Sequence, residues 1–338
     1  MPITSEKGRK RLWYLLAFFF FSFFLSFMVG RYPIEPLTLV KILLSKVFPI
    51  AVDWPAEMET VVFLIRLPRV IAAVLVGGAL SVAGSVYQGL FQNPMVSPDV
   101  LGASAGAGFG AALGIMIGLG YTGISVFSFA LGLAAVLLAY LASTRTRGNP
   151  TMGMVLAGIM IGSLFNSGTS LLKLVADTEE QLPAITYWLM GSLASVRMRD
   201  LAFAAPPILL GTLALFLMRW KINVLTLGEE EAQTMGVNTK VYRLVVVVCA
   251  TLVTAASVSI SGMIGWVGLV IPHIARKIVG FDYSVLLPGS MLLGGSFLLL
   301  VDNLARVMAT SEVPIGILTS FVGAPFFLWL VLRKKEGA

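Results

Sequence analysis

Long apolar runs separated by short polar and basic connectors organise the whole of this chain. Apolar stretches cover residues 12–30, 62–91, 101–119, 121–142, 152–176, 202–219, 241–260, 264–280, 287–308 and 314–332. A helix needs about 20 such residues to cross a hydrocarbon layer roughly 30 Å thick. Lipid admits only helices and closed barrels, because backbone groups left unpaired find no water there. The pattern therefore predicts an all-α polytopic membrane protein with ten transmembrane helices. The 338 residues form one membrane domain, with no length left for a second, soluble one. Residues 183–195 read as a short amphipathic helix outside the membrane, and the polar stretch 31–60 as an external connector.

The first run follows Lys7, Arg9, Lys10 and Arg11, as a signal peptide would. It is too long for one and has no small-residue cleavage site, so it reads as a retained span with its N-terminus in the cytoplasm. Ten crossings then return the C-terminal Arg333, Lys334 and Lys335 to the same side of the inner membrane. Arg145, Arg147, Arg219, Lys221, Lys240, Arg243, Arg276 and Lys277 also fall there, whereas Asp177, Glu179 and Glu180 fall outside. This distribution obeys the positive-inside rule. Arg66, Arg69, Arg197, Arg199 and Arg306 break it, so another cause must hold them outside.

Composition narrows the chemistry. Charged residues make up 12% and hydrophobic residues 57%, against roughly 25% charged in a soluble domain. One cysteine, Cys249, and one histidine, His273, allow neither an internal disulfide nor a soft-ligand metal cluster, so no cofactor is expected. The formal charge of +7 resides in the connectors and does not call for nucleic acid. His273 follows Pro272 and reads as a partner for the carbonyls that the proline frees, near the cytoplasmic face.

Energy coupling can be read from what the spans hold. Gradient-driven transporters keep titratable groups at mid-membrane, but here the acids sit almost entirely in loops. Asp302 and Lys173 come nearest to the spans, and both read as reaching the interface by snorkelling. An ion-gradient-coupled secondary transporter or channel is the alternative reading. No G-x-x-x-x-G-K-[ST] loop is present, so the chain is not itself an ATPase and ATP would be hydrolysed on a separate subunit. Such a partner needs a handle. Residues 227–236 offer a short helix with Glu229, Glu230 and Glu231 at its positive end and Gly236 at its stop, which is equally compatible with a solvated surface helix. Gly102, Gly106, Gly110, Gly114 and Gly118 recur every four residues, which predicts a face for close helix packing.

Several blocks, in order along most of the chain, resemble one family. They are Arg66-Leu67-Pro68-Arg69 with Val76-Gly77-Gly78-Ala79-Leu80, the run from Asn93-Pro94-Met95 through Ser97-Pro98-Asp99 to Gly102, Gly265-Trp266-Val267-Gly268 through Ile271-Pro272-His273, and Val313-Pro314-Ile315-Gly316 with Gly323-Ala324-Pro325. These blocks are similar to the FecCD-type permeases, membrane subunits of binding-protein-dependent ABC importers for iron-siderophores, haem and cobalamin. The resemblance implies a type II ABC importer permease architecture: a homodimer of ten-span subunits, two ATPase subunits on the cytoplasmic side and one periplasmic-type binding protein outside. It gives Arg66, Arg69 and Arg306 a docking role toward glutamates of that protein. It makes Gly228, Glu229, Ala232 and Gly236 the coupling positions against the ATPase. It places a cytoplasmic gate at Asn93, Pro94 and Met95, facing Thr151 and Met152. The cargo it implies is first a ferric siderophore, then haem or cobalamin, with an oxyanion such as molybdate behind them.

Overall fold

A computed structural model describes residues 5–46, 48–49, 52–145 and 150–333. Arg147, Lys334 and Lys335 lie outside the described residues, as does the side chain of Thr151. Among the described residues the ordered elements are all helical. They are α1 (Ser5–Met28), α2 (Pro36–Ser45), α3 (Ala56–Thr60), α4 (Leu67–Leu90), α5 (Ala103–Met116), α6 (Tyr121–Ser143), α7 (Pro150–Val175), α8 (Gln181–Met190), α9 (Met198–Leu217), α10 (Arg219–Leu225), α11 (Glu229–Thr234), α12 (Thr239–Ser261), α13 (Val267–Val279), α14 (Tyr283–Val307) and α15 (Ile315–Arg333). A π-helical turn, Val61–Arg66, joins α3 to α4 in one continuous rod of 35 residues.

Each of the ten predicted spans corresponds to a helix, and among the described residues 7 helices are long and apolar enough to cross a membrane. α5 and α13 have only 14 and 13 residues, which gives each about 20 Å of rise. Both are shortened at their start. Pro98 and the left-handed Gly102 delay α5, and Gly262 and Trp266, both at positive φ, delay α13. Irregular backbone is tolerated at membrane depth only where it is buried in protein or lines a cavity.

Two connectors differ from expectation. Residues 31–60 are not simply polar, because α2 lies within them and buries Leu39 and Ile42 against the bundle. The short external helix is displaced to α8, and Gly191 at φ 73° ends it where residues 191–195 had been read as helical.

α4 is the centre of the bundle. Its residues are buried on all sides from Val76 to Leu90, as expected of a helix that is apolar all round. Glycines set the approach of its neighbours. A Cβ on Gly84 would lie 1.8 Å from the Gly268 carbonyl oxygen of α13, and one on Gly77 would lie 2.4 Å from that of Gly294 in α14. The glycine stripe of α5 works likewise against α6, where a Cβ on Gly106 or Gly110 would meet the carbonyl of Leu131 or Phe127 at 2.4 Å. Gly118 has nothing within 4 Å and takes no part. Ser81 and Ser85, buried within α4, donate to the carbonyls of Gly77 and Ser81 at 2.8 and 2.9 Å.

The bundle has two ends. The start of α1, the ends of α4 and α13, and α10 with α11 gather at one, where Arg11 donates to the Ile278 carbonyl at 2.6 Å. The end of α1, the π-helical turn and the end of α14 gather at the other, where Arg31 donates to the Ala309 carbonyl at 3.0 Å.

Candidate coupling, gate and docking sites

Residues 227–236, expected to offer a partner a handle, contain the short helix α11 between Gly228 and Gly236, and α10 precedes them. α10 is fastened to the start of α14, where Asn223 donates to Asp282 Oδ1 at 2.9 Å and accepts from the Tyr283 amide at 3.0 Å. Asp282 caps α14 through the Ser284 amide at 2.8 Å. Partial burial works against its charge, yet the hydrogen bonds from Ser284 and Asn223, with Arg219 nearby, hold its carboxyl below the usual range. The chain then turns at Gly228, whose φ of 130° only glycine adopts easily, and leaves α11 through Gly236 at φ 76°. Ala232 is fully buried under α11. Leu227, Glu230, Glu231 and Met235 are exposed, giving an acidic surface flanked by two apolar side chains. Glu229 turns inward, accepting from Arg243 Nη2 at 3.1 Å and from the Thr239 hydroxyl at 3.3 Å. It therefore acts as a strut between α11 and α12, with part of its side chain still on the surface.

The turn after α4 approaches the same segment. Asn93, Pro94 and Met95 are exposed, and the Asn93 side chain accepts from the Met95 amide at 2.9 Å to close the turn. Gln92 has an unusual positive φ of 47°, and its side chain donates to the Thr226 carbonyl at 3.2 Å. Gln92, Asn93, Met152, Gly228, Glu229 and Arg243 line one cavity of about 370 Å³. The structure thus brings three groups of predicted positions to a single place: the first gate turn, Met152 of the second, and the head of the coupling segment.

The three candidate docking arginines also converge, at the opposite end. Arg69 Nε donates to Asp302 Oδ1 at 2.7 Å and its Nη1 to Glu312 Oε2 at 2.7 Å. Arg306 Nε lies 3.2 Å from Asp302 Oδ2, and its Nη2 donates to the Ser26 carbonyl at 3.1 Å and to the Asn303 side chain. Arg66 donates to the carbonyls of Phe27 and Tyr32. Relative exposures of 3%, 4% and 6% for Arg66, Arg69 and Arg306 show that all three point inward. Of their ionic partners, only Glu312 reaches the surface, with its side chain 30% exposed.

The sequence profile of the FecCD transport family matches residues 17–333. The chain belongs to the FecCD transport family. It is 38% identical to the molybdate import system permease MolB of Haemophilus influenzae, over 93% of this chain and 92% of that one. It is 39% identical to a probable iron chelatin transport system permease of Helicobacter pylori, over 83% and 85%. Among solved structures, an inward-facing conformation of a metal-chelate type ABC transporter superposes with a TM-score of 0.85 at 37% identity, covering 96% of this chain and 99% of that one. This FecCD chain is accordingly a multi-pass ABC importer permease, and the gradient-driven alternative falls away.

Two residues of this FecCD permease depart from expectation. Asp302 does not snorkel to the interface but is fully buried between two guanidiniums. Asp99 had passed as a loop acid. It lines instead a cavity that it shares with Leu80 of α4 and Thr254 of α12. Gln92 and Arg243, which tie the turn after α4 and the head of α11 to their neighbours, also escaped sequence reading. The only available signal for Asp99 was its place between Pro98 and Gly102, two helix-breaking residues inside an apolar region.

Proposed function

We propose that this permease works in the cell's inner membrane as a homodimer, with two separate ATPase subunits against α10 and α11 and one binding protein at the arginine end. Both termini then face the cytoplasm. Its cargo in this reading is an iron chelate, a ferric siderophore first and haem or cobalamin next. The observation that carries the reading is the shared cavity, because it puts a force-receiving segment and a closing turn within one hydrogen bond of each other. When the ATPase subunits close, α11 is displaced, and the Gln92–Thr226 bond and the Glu229–Arg243 strut pass that displacement to residues 92–95. A partner can do this only by binding one arrangement of the helices more tightly than the other.

Gly228, Glu229, Ala232 and Gly236 shape the coupling head in this scheme, and the exposed Leu227, Glu230, Glu231 and Met235 meet the ATPase. Asn93, Pro94, Met95 and Met152 form the gate; Thr151 is assigned to it from the family resemblance alone. The apolar groove of about 720 Å³ between α8, residues 263–265 and α15 supports a second copy of the subunit across from it. Docking through Arg66, Arg69 and Arg306 requires rearrangement, because Arg69 is already paired. A glutamate of the binding protein would take the position that Glu312 fills, and the exposed Arg31, Arg197 and Arg199 supply further positive charge at that end.

The test is reconstitution of the permease in liposomes with its ATPase and binding protein. Uptake of a ferric chelate should require ATP and all three components, and Leu227→Glu with Met235→Glu should abolish co-purification of the ATPase without lowering the melting temperature. Uptake through the isolated permease, or full ATPase retention by the double variant, contradicts the reading.

A further inference from the structure

We propose that Asp99 sets the charge of the cargo that this permease admits, by holding an unpaired carboxylate on the translocation path at mid-depth. The proposal deepens the importer reading and rests on it for the existence of a path. Depth follows from packing. A Cβ on Gly268 would meet the Pro98 ring at 2.2 Å and the Leu80 carbonyl at 2.7 Å, so residues 98–99 lie level with Leu80. Leu80 stands about 20 Å from one end of α4 and about 15 Å from the other, at about 1.5 Å per residue. Asp99 is thus near the middle of the layer even though no helix carries it there.

The surroundings are those of a small polar chamber. Ser97, Asp99, Ser104, Thr254, Met263 and Trp266 are among the residues lining a cavity of about 290 Å³. Asp99 is exposed, and its Oδ1 accepts from the Ser104 amide at 2.7 Å, at the start of α5. No lysine, arginine or histidine lines the cavity, and no ion pair to Asp99 occurs among the described residues. Capping α5 explains an acceptor oxygen at this position, which asparagine supplies equally well. It does not explain a carboxyl group in place of an amide at a depth where ionisable groups are costly and mark function.

A carboxylate in a cavity that Ser97, Ser104, Thr254 and Trp266 also line attracts cationic groups and hydrogen-bond donors. It repels oxyanions, and a homodimer would present two such carboxylates. The cargo class that fits is a neutral or positively charged chelate whose surface carries amine, amide or hydroxyl donors. A free oxyanion such as molybdate is excluded.

The test reads the local potential directly. In a Cys249→Ala background, a thiol is placed at Ser104→Cys or, on a different helix, at Thr254→Cys, in the permease assembled with its ATPase in liposomes. Cationic trimethylammonium-ethyl and anionic sulfonatoethyl methanethiosulfonates are the probes. The cation-to-anion rate ratio, normalised to a free thiol in solution, should fall at least tenfold on Asp99→Asn, a change of about 1.4 kcal/mol. Asp99→Ser serves as the second charge-removing variant, should the asparagine protein prove unstable. An unchanged ratio at both reporter positions, or failure of both reagents to react at either, overturns the proposal. Because no cargo is involved, such a failure leaves ATP-dependent uptake untouched. Absence of ATP-dependent uptake by the assembly with Asp99 intact, with the ratio still shifting, would instead defeat the importer reading.

Discussion

Asp302 offers the sharpest perturbation of the arginine cluster. Its carboxylate, 1% exposed, is 2.7 Å from Arg69 Nε and 3.2 Å from Arg306 Nε. Removing one member of a buried ion pair leaves the other charge without compensation, at a cost of about 3–5 kcal/mol. Asp302→Ala removes the ion partner of Arg306 and leaves Arg69 with Glu312 alone, and should reach the upper end of that range. Asp302→Asn keeps an acceptor for Arg69 and should fall at the lower end. Glu312 sets the contrast, because its side chain is 30% exposed and water solvates part of the change, so Glu312→Gln, which keeps an acceptor for the buried Arg69, should cost less than Asp302→Asn. Replacing the whole triad with apolar side chains, as Arg69→Met, Asp302→Leu and Arg306→Met together, should regain most of the loss, because the desolvation of three charges disappears with them. Denaturant titration of the purified permease in a fixed detergent measures each difference. An Asp302→Ala loss below about 1 kcal/mol, or a triple variant as unstable as the sum of its parts, would show that these groups are not the buried, mutually compensated set described.

Three further outcomes follow from the same structure. Gly110→Val should destabilise the α5 and α6 pair by at least about 1–3 kcal/mol, because its Cβ would fall 2.4 Å from the Phe127 carbonyl oxygen, whereas Gly120→Ala, with nothing within 4 Å, should be nearly silent in the same melting assay. Asp282→Ala should remove the cap of α14, costing about 1 kcal/mol at neutral pH. Since the folded carboxyl titrates below its unfolded value, Asp282 stabilises above the unfolded pKa of about 3.9 and ceases to do so as pH falls through the folded one; the variant's melting temperature should therefore converge on that of the parent under acid. Gln92→Ala should leave ATPase association intact but lower cargo uptake per ATP hydrolysed several-fold. Unaltered coupling would mean that the Thr226 bond transmits nothing.

The sequence by itself determined the elements. Hydropathy, helix breakers and connector charge are properties of consecutive residues, so the ten apolar helices, the short helix between Gly228 and Gly236 and the packing role of Gly106 and Gly110 were legible before any contact was known. Only tertiary structure decided what the charged side chains do. Arg69 finds its partners at positions 302 and 312, and Arg66 finds carbonyls at 27 and 32, separations over which hydropathy carries no information. The same limit hid the depth of Asp99. A polar turn between two apolar runs reads as a surface loop until the packing of Pro98 against Gly268 shows that the chain has folded back into the bundle. Burial of a charge depends on which distant helices surround it, and that follows from the close approach of α4, α13 and α14 at their glycines.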